Sequence, residues 1–162
     1  MRRVIADSTP LIALSYIGHL DLLRQLYQDI YIPKAVYDEI NIKKDAASEA
    51  LSSALDWIHV VEVDETIDRS MYKARLHTGE VEVIILAQQS PVADLVIIDD
   101  NAAKKTAKYL GLTVTGTMGV LLKAKRTGSI QAVAPLLEKM KDNGFYITDT
   151  IIKLTLEQAG EI

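Results

Sequence analysis

The chain has no cysteine among its 162 residues. That absence excludes disulfides, thiolate zinc sites and cysteine nucleophiles, and it agrees with a reducing cytosol. Any metal would have to be held by oxygen or histidine. Histidine is scarce as well: His19, His59 and His77 are the whole supply. No two of them have a paired metal spacing, so none is assigned a role. No apolar run approaches the ~20 residues that span a bilayer, and the N-terminus lacks the apolar core of a secretory signal. A cytoplasmic protein with no membrane association is expected. Net positive charge is also missing. Eighteen Lys and Arg against 22 Asp and Glu leave −4, which argues against broad, non-specific adhesion to nucleic acid through neutralised phosphates. A local basic patch is still compatible with that balance. Finally, no repeat, low-complexity tract or linker rich in Gly, Pro or Ser interrupts the chain. Residues 1–162 are read as one domain, long enough to bury roughly 70% of its unfolded surface.

What is present is an alternation of short β-rich runs and helical patterns. Strands are expected at Arg3 to Ala6, Ile30 to Ile32, Ile58 to Val63, Leu95 to Ile98 and Leu112 to Thr115. Helices are expected at Pro10 to Ile17, Leu20 to Tyr27, Lys34 to Ile42, Ala46 to Leu55, Thr66 to Leu76, Glu80 to Gln89 and Ala102 to Leu110. Three more follow the last strand, at about Met118 to Arg126, Ile130 to Lys141 and Thr148 to Gln158. Strands separated by helices imply right-handed crossovers and a mainly parallel sheet of roughly five strands, covered on both faces. The fold class is therefore α/β, in a three-layer α/β/α domain.

Two of these strands run into acids. The first, in VIADSTPLIAL, ends at Asp7; Ser8 or Thr9 suits the cap of the next helix and Pro10 its first turn, so Asp7 is surplus to capping. The fourth, LVII, ends at Asp99 and Asp100. One of that pair would suffice as a helix cap, and adjacent like charges repel unless a cation is near. In a parallel sheet both strand ends face one crevice, where ligands gather. Two helices offer further acids: Glu39 in Tyr37-Asp38-Glu39-Ile40, and Glu80 and Glu82 at the start of an otherwise apolar helix. Each has an ordinary reading, as a solvated face for Glu39 or as a first-turn acid favoured by the helix dipole for the others. Glu80 and Glu82 lie about 200° apart around a helix, so both cannot easily face one site; Glu80 is preferred.

These residues, in this order, resemble the PIN-domain ribonucleases, a family that includes VapC-like toxins. The matching positions are Asp7 with Ser8 and Thr9; Glu39; Glu80 in TGEVEVIILA; and Asp99 or Asp100 in LVIIDDNAAK, with Asp100 favoured and Asp99 in support. Together with LGLTVTGTMGVLLKAK, they look like one prokaryotic branch known as a domain of unknown function, and the pattern spans nearly the whole chain. The resemblance implies a PIN-like fold and a metal-dependent ribonuclease. It further implies the toxin of a toxin–antitoxin pair, held off by a small antitoxin protein and forming a homodimer.

The chemistry implied is that of clustered carboxylates around Mg²⁺ or Mn²⁺, hard cations that bridge to substrate phosphates. Asp7, Glu80, Asp99 and Asp100 are the candidate metal ligands, with Glu39 positioning a water. Asp7, Glu39, Glu80 and Asp100 form the catalytic set. Ser8, Thr115 and Thr117 are candidates to orient ligands or phosphate. Of the lysines, Lys104 lies one helical turn past Asp100 and is the candidate contact to RNA phosphate. Two other readings compete. A catalytically inactive PIN-like module could bind nucleic acid or protein. An aspartate-based phosphotransfer domain would also place Asp after the first strand, but the dehalogenase pattern wants a second Asp where Thr9 stands.

Overall fold

A computed structural model of the chain describes residues 3–63, 76–90 and 93–162. Five strands form one sheet: β1 (Arg3–Ala6), β2 (Ile30–Pro33), β3 (Ile58–Val61), β4 (Ala93–Ile97) and β5 (Val114–Thr115). Their order is β3-β2-β1-β4-β5 and every pairing is parallel. The chain thus builds outward from β1 on one side, then returns to pair β4 on the other. The boundary between β1 and β4 is the switch point at which open parallel sheets leave a crevice.

The helices are α1 (Ser8–Tyr16), α2 (Asp21–Tyr27), α3 (Lys34–Ile42), α4 (Ala46–Ser53), α5 (Thr78–Gln89), α6 (Asn101–Tyr109), α7 (Thr117–Arg126), α8 (Ala134–Asp142) and α9 (Asp149–Gln158). They sandwich the sheet in the α/β/α arrangement. The continuous apolar character of the strands follows from burial on both faces: Val4, Ile5 and Ala6 in β1 and Leu95, Val96 and Ile97 in β4 are all in the core. α5 packs over β1, β2 and β4. Its run Val83–Ala87 is buried without a break, which explains why this helix reads as apolar around its whole circumference.

Element limits differ from the sequence reading chiefly at the ends. β3 stops at Val61, β5 is only two residues long, and α8 starts at Ala134, one residue before Pro135. The helix expected over Thr66 to Leu76 falls, apart from its last residue, outside the described residues. The expectation that Ser8 or Thr9 caps α1 is corrected: the helix begins at Ser8, and Asp7 itself holds the N-cap position. Ser8 instead turns its hydroxyl to Glu39.

At the end of the sheet, α7 lies close against β5. A Cβ placed on Gly119 would sit 2.1 Å from Thr115 Oγ1, a contact that cannot form without movement. Gly119→Ala should therefore destabilise the fold by about 1–3 kcal/mol, in the range of an overpacked core. Adding Thr115→Ala should restore most of that loss. Urea unfolding of the two single variants and the double variant measures both steps.

Candidate active site

Asp7 is placed by the central strand pair. Its backbone N–H donates to Ile97 O at 2.8 Å, extending the β1–β4 ladder by one rung and setting the residue at the switch-point crevice. Although it occupies the N-cap position of α1, its side chain makes no capping hydrogen bond. The residue is 3% exposed. Its Oδ1 is a buried side-chain oxygen with no hydrogen-bond partner, the one such atom among the described residues. Burial pushes its carboxyl up to about 7; the Ser8 backbone N–H opposes the rise, while the charges of Glu80, Glu39 and Asp99 add to it.

The neighbours come from three other segments. Glu80, in the first turn of α5 and 6% exposed, accepts the His77 backbone N–H on Oε1 at 2.9 Å. Burial raises its pKa; the His77 N–H lowers it, and Asp100 and Glu39 contribute repulsion. Glu39 reaches in from α3, where Ser8 Oγ donates to its Oε2 at 2.8 Å. Gly79 makes the close approach of α5 feasible: a Cβ there would stand 3.0 Å from Glu39 Oε1 and 3.7 Å from Asp7 Oδ1. Glu82 goes elsewhere, its Oε1 accepting the Ala35 N–H at 3.3 Å in the first turn of α3. A separation of about 200° around α5 accounts for that divergence.

After β4 the two aspartates divide their work. Asp100 is the N-cap of α6, with Oδ2 accepting from Ala103 N–H at 2.9 Å. Asp99 turns to the start of α7 and accepts from Thr117 N–H at 2.7 Å on Oδ1 and from Thr117 Oγ1 at 2.6 Å on Oδ2. Gly116 leaves room for this arrangement. A Cβ on it would meet Asp99 Oδ1 at 2.6 Å and Lys104 Nζ at 2.9 Å, so the lysine ammonium stands on the same small residue as the carboxylate. Thr115 is not drawn into the group; its hydroxyl lies against Gly119 on α7. Glu80, Glu39 and Asp99 thus repel Asp7, and Asp100 and Glu39 repel Glu80, with Lys104 on the Asp99 side.

A family model described as a PIN domain, DUF3368, matches residues 3–161. The chain belongs to this PIN-domain family. A comparison with functionally curated proteins gave no match. Among solved structures, the chain is similar to a domain of a functionally unknown protein from Methanocaldococcus jannaschii DSM 2661. The two share 18% identity at a TM-score of 0.45, over 72% of this chain and 91% of that one. Family membership accounts for the α/β/α fold and supports a nuclease-type or PIN-like module.

The donor set of this PIN domain suits a hard divalent cation. All the candidate ligands are carboxylate oxygens, and Asp7 Oδ1 is buried with nothing to bond. Among the described residues no three His, Asp or Glu side chains are close enough to enclose an ion. Mg²⁺ commonly keeps several waters and takes only one or two carboxylates, so an open set is compatible with it. Sequence reasoning passed over Gly79 and Gly116, whose contribution is space; the only available signal was their position beside Glu80 and Thr117 in TGE and TGT.

The stability of the PIN domain should record the Asp7 charge. Between pH about 4 and about 7 the folded state keeps a proton on Asp7 that the unfolded chain has released, because the folded pKa is the higher one. Stability contributed by that proton is present at low pH and is lost as pH rises through this window. Asp7→Asn should reduce the slope, leaving the smaller part due to Glu80, and raise the metal-free stability at pH 8 by about 1–2 kcal/mol, a reduced share of the shift because Asn introduces a buried amide. Thermal melts in EDTA from pH 4 to 8 check both; a variant that melts lower than the parent at pH 8 would make Asp7 a stabilising structural residue.

Proposed function

We propose that this PIN domain is a divalent-metal-dependent endoribonuclease that hydrolyses RNA phosphodiester bonds. One observation carries the reading: the buried Asp7 carboxylate has an unpartnered oxygen and is pressed by Glu80, Glu39 and Asp99. Buried polar groups are nearly always satisfied, and the exceptions call for an ion, a water or a catalytic role. Mg²⁺ or Mn²⁺ is the cation that this oxygen-only donor set fits; Asp7 would hold it directly, and Glu80, Asp99 and Asp100 would act through the waters it keeps. When bound, such an ion supplies Lewis acidity at the phosphoryl oxygens and makes a water more acidic.

The chain's own residues do the remaining work. Glu39, steadied by the Ser8 hydroxyl, orients a water and accepts its proton. Lys104 presents its ammonium to the scissile phosphate from the Gly116 side. Thr117 acts through Asp99, holding both carboxylate oxygens in place, and Thr115 supports α7 beside it. The same proposal includes a homodimer and a small antitoxin protein as partners, implied by the resemblance to PIN-domain toxins; Ile151 and Leu154 of α9 are about half exposed and give such a partner apolar surface. The lack of a closed three-ligand group among the described residues favours a second reading, a PIN-like module that binds nucleic acid or protein without cleaving it.

Purified protein freed of any antitoxin should cleave single-stranded RNA with Mn²⁺ or Mg²⁺ and stop in EDTA, and Asp7→Asn should abolish cleavage. A chain that neither cleaves nor gains melting temperature with Mn²⁺ sinks the nuclease reading and leaves the binding module. Lys104→Ala should raise KM more than it lowers kcat, because it removes a contact to substrate. Gly116→Ala tests the placement of Asp99. Its Cβ must displace that carboxylate or the lysine, so turnover should fall on the order of 100-fold, the usual consequence of a 1 Å misplacement.

A further inference from the structure

A cavity of about 340 Å³ adjoins the carboxylate site, sharing Asp99, Lys104 and Thr117 with it, and extends away from it toward α8 and α9. Its apolar walls include Met118 of α7, Met140 of α8, and Phe145, Tyr146 and Ile147 between α8 and α9. Asn101 and Thr148 supply polar edges. Thr148 Oγ1 already accepts the Ile151 N–H at 3.2 Å, which leaves its hydroxyl hydrogen to donate outward.

The aromatic wall is held by a defined turn. Gly144 has φ +87, the left-handed conformation that ends helices at small cost only for glycine. Its N–H bonds Lys141 O and the Phe145 N–H bonds Met140 O, each at 3.0 Å, in the paired pattern of a Schellman cap. The chain therefore leaves α8 in one direction, carrying Phe145 and Tyr146 to the cavity. Phe145 is further fixed by the Tyr16 ring, 5.7 Å away; the Tyr16 hydroxyl in turn bonds Asp45, the cap of α4. Tyr146, by contrast, is 90% exposed. A large aromatic ring left in water at the mouth of an apolar cavity, one residue from a ring anchored in the fold, is suited to stacking on a flat partner.

We infer that this cavity receives one unpaired nucleobase of the RNA, stacked on Tyr146 and bounded by Phe145, with the adjoining phosphate at Lys104. The inference rests on the ribonuclease reading and sharpens it to a single-stranded substrate with a preferred base position. The volume lies at the low end of small-ligand cavities, about 300–1,000 Å³, and is enough for a base. Apolar walls with polar edges match a base, which has two apolar faces and a hydrogen-bonding rim. The position of Lys104 at the same opening fits the charge that every nucleotide carries next to its base. A base inside a duplex cannot enter without unstacking, which costs a few kcal/mol.

The test uses the full chain carrying Asp7→Asn, so that RNA is bound but not cut, and a ten-nucleotide single-stranded RNA with 2-aminopurine at successive positions. One position should be strongly quenched on binding. Tyr146→Ala should abolish that quenching and weaken binding about tenfold, in line with the loss of one base–aromatic stack, while Tyr146→Phe restores both. Hybridising the RNA to its complement should weaken binding at least tenfold. RNA bound equally well by the Tyr146→Ala chain, with quenching unchanged, overturns the base cavity and leaves it to a protein side chain, the ribonuclease reading untouched. RNA neither bound by the Asp7→Asn chain nor cut by the unsubstituted chain with Mn²⁺ overturns both.

Discussion

The parallel pairing of β1 with β4 is the constraint on which the rest of this PIN domain depends. Val4, Ile5 and Ala6 lie beside Leu95, Val96 and Ile97, and the Asp7 N–H continues the ladder onto Ile97 O. Because the two strands run in the same direction, the residues that follow them leave the sheet at the same edge. Because β1 and β4 also straddle the point where strand order reverses, helices depart to either side and leave that edge open. An acid after each strand is thereby brought to one crevice by backbone hydrogen bonds alone.

The crevice is then made electrostatically costly by the apolar packing around it. α5 has eight of its twelve residues buried, and it carries Glu80 into the interior at its first turn. Burial is the largest influence on both Asp7 and Glu80, ahead of any neighbouring charge. The hydrophobic core that stabilises the sheet is thus the same structure that strips water from the carboxylates. A cation bound there would be stabilised by charges that the empty protein holds at a disadvantage, and the single unbonded Asp7 oxygen records the imbalance.

The side of the crevice near Lys104 is braced from the far end of the chain. Glu161 accepts the N–H groups of Val133 and Ala134 at 2.7 and 3.0 Å, caps the start of α8, and receives Lys125 Nζ at 3.0 Å. These hydrogen bonds hold its carboxyl below the usual carboxylate range. The clamp ties the chain's last residues to α7 and α8 together, and these helices supply Met118 and Met140 to the cavity wall. The same helix, α7, begins at Gly116 and Thr117, where Asp99 is fixed. Placement of a carboxylate and the shape of an apolar cavity are therefore consequences of one packed unit.

The α/β alternation, the apolar strands and the Lys34–Ile42 helix could be read directly from the residues, because burial on two faces and a helical period each leave a local pattern. So could the identities of the acids at the strand ends, since capping needs fewer acceptors than Asp7, Asp99 and Asp100 provide. Tertiary structure alone decided what each acid does with its oxygens. Asp100 caps α6 and Asp99 holds Thr117, a division that adjacent identical residues cannot announce; Ser8 bonds Glu39, thirty-one positions away, instead of capping its own helix. The value of Gly79 and Gly116 was likewise invisible, because the lack of a side chain acquires meaning only when another segment comes to fill the space. Composition and periodicity are properties of neighbours along the chain, whereas desolvation, hydrogen-bond choice and cavity shape depend on neighbours brought together by folding.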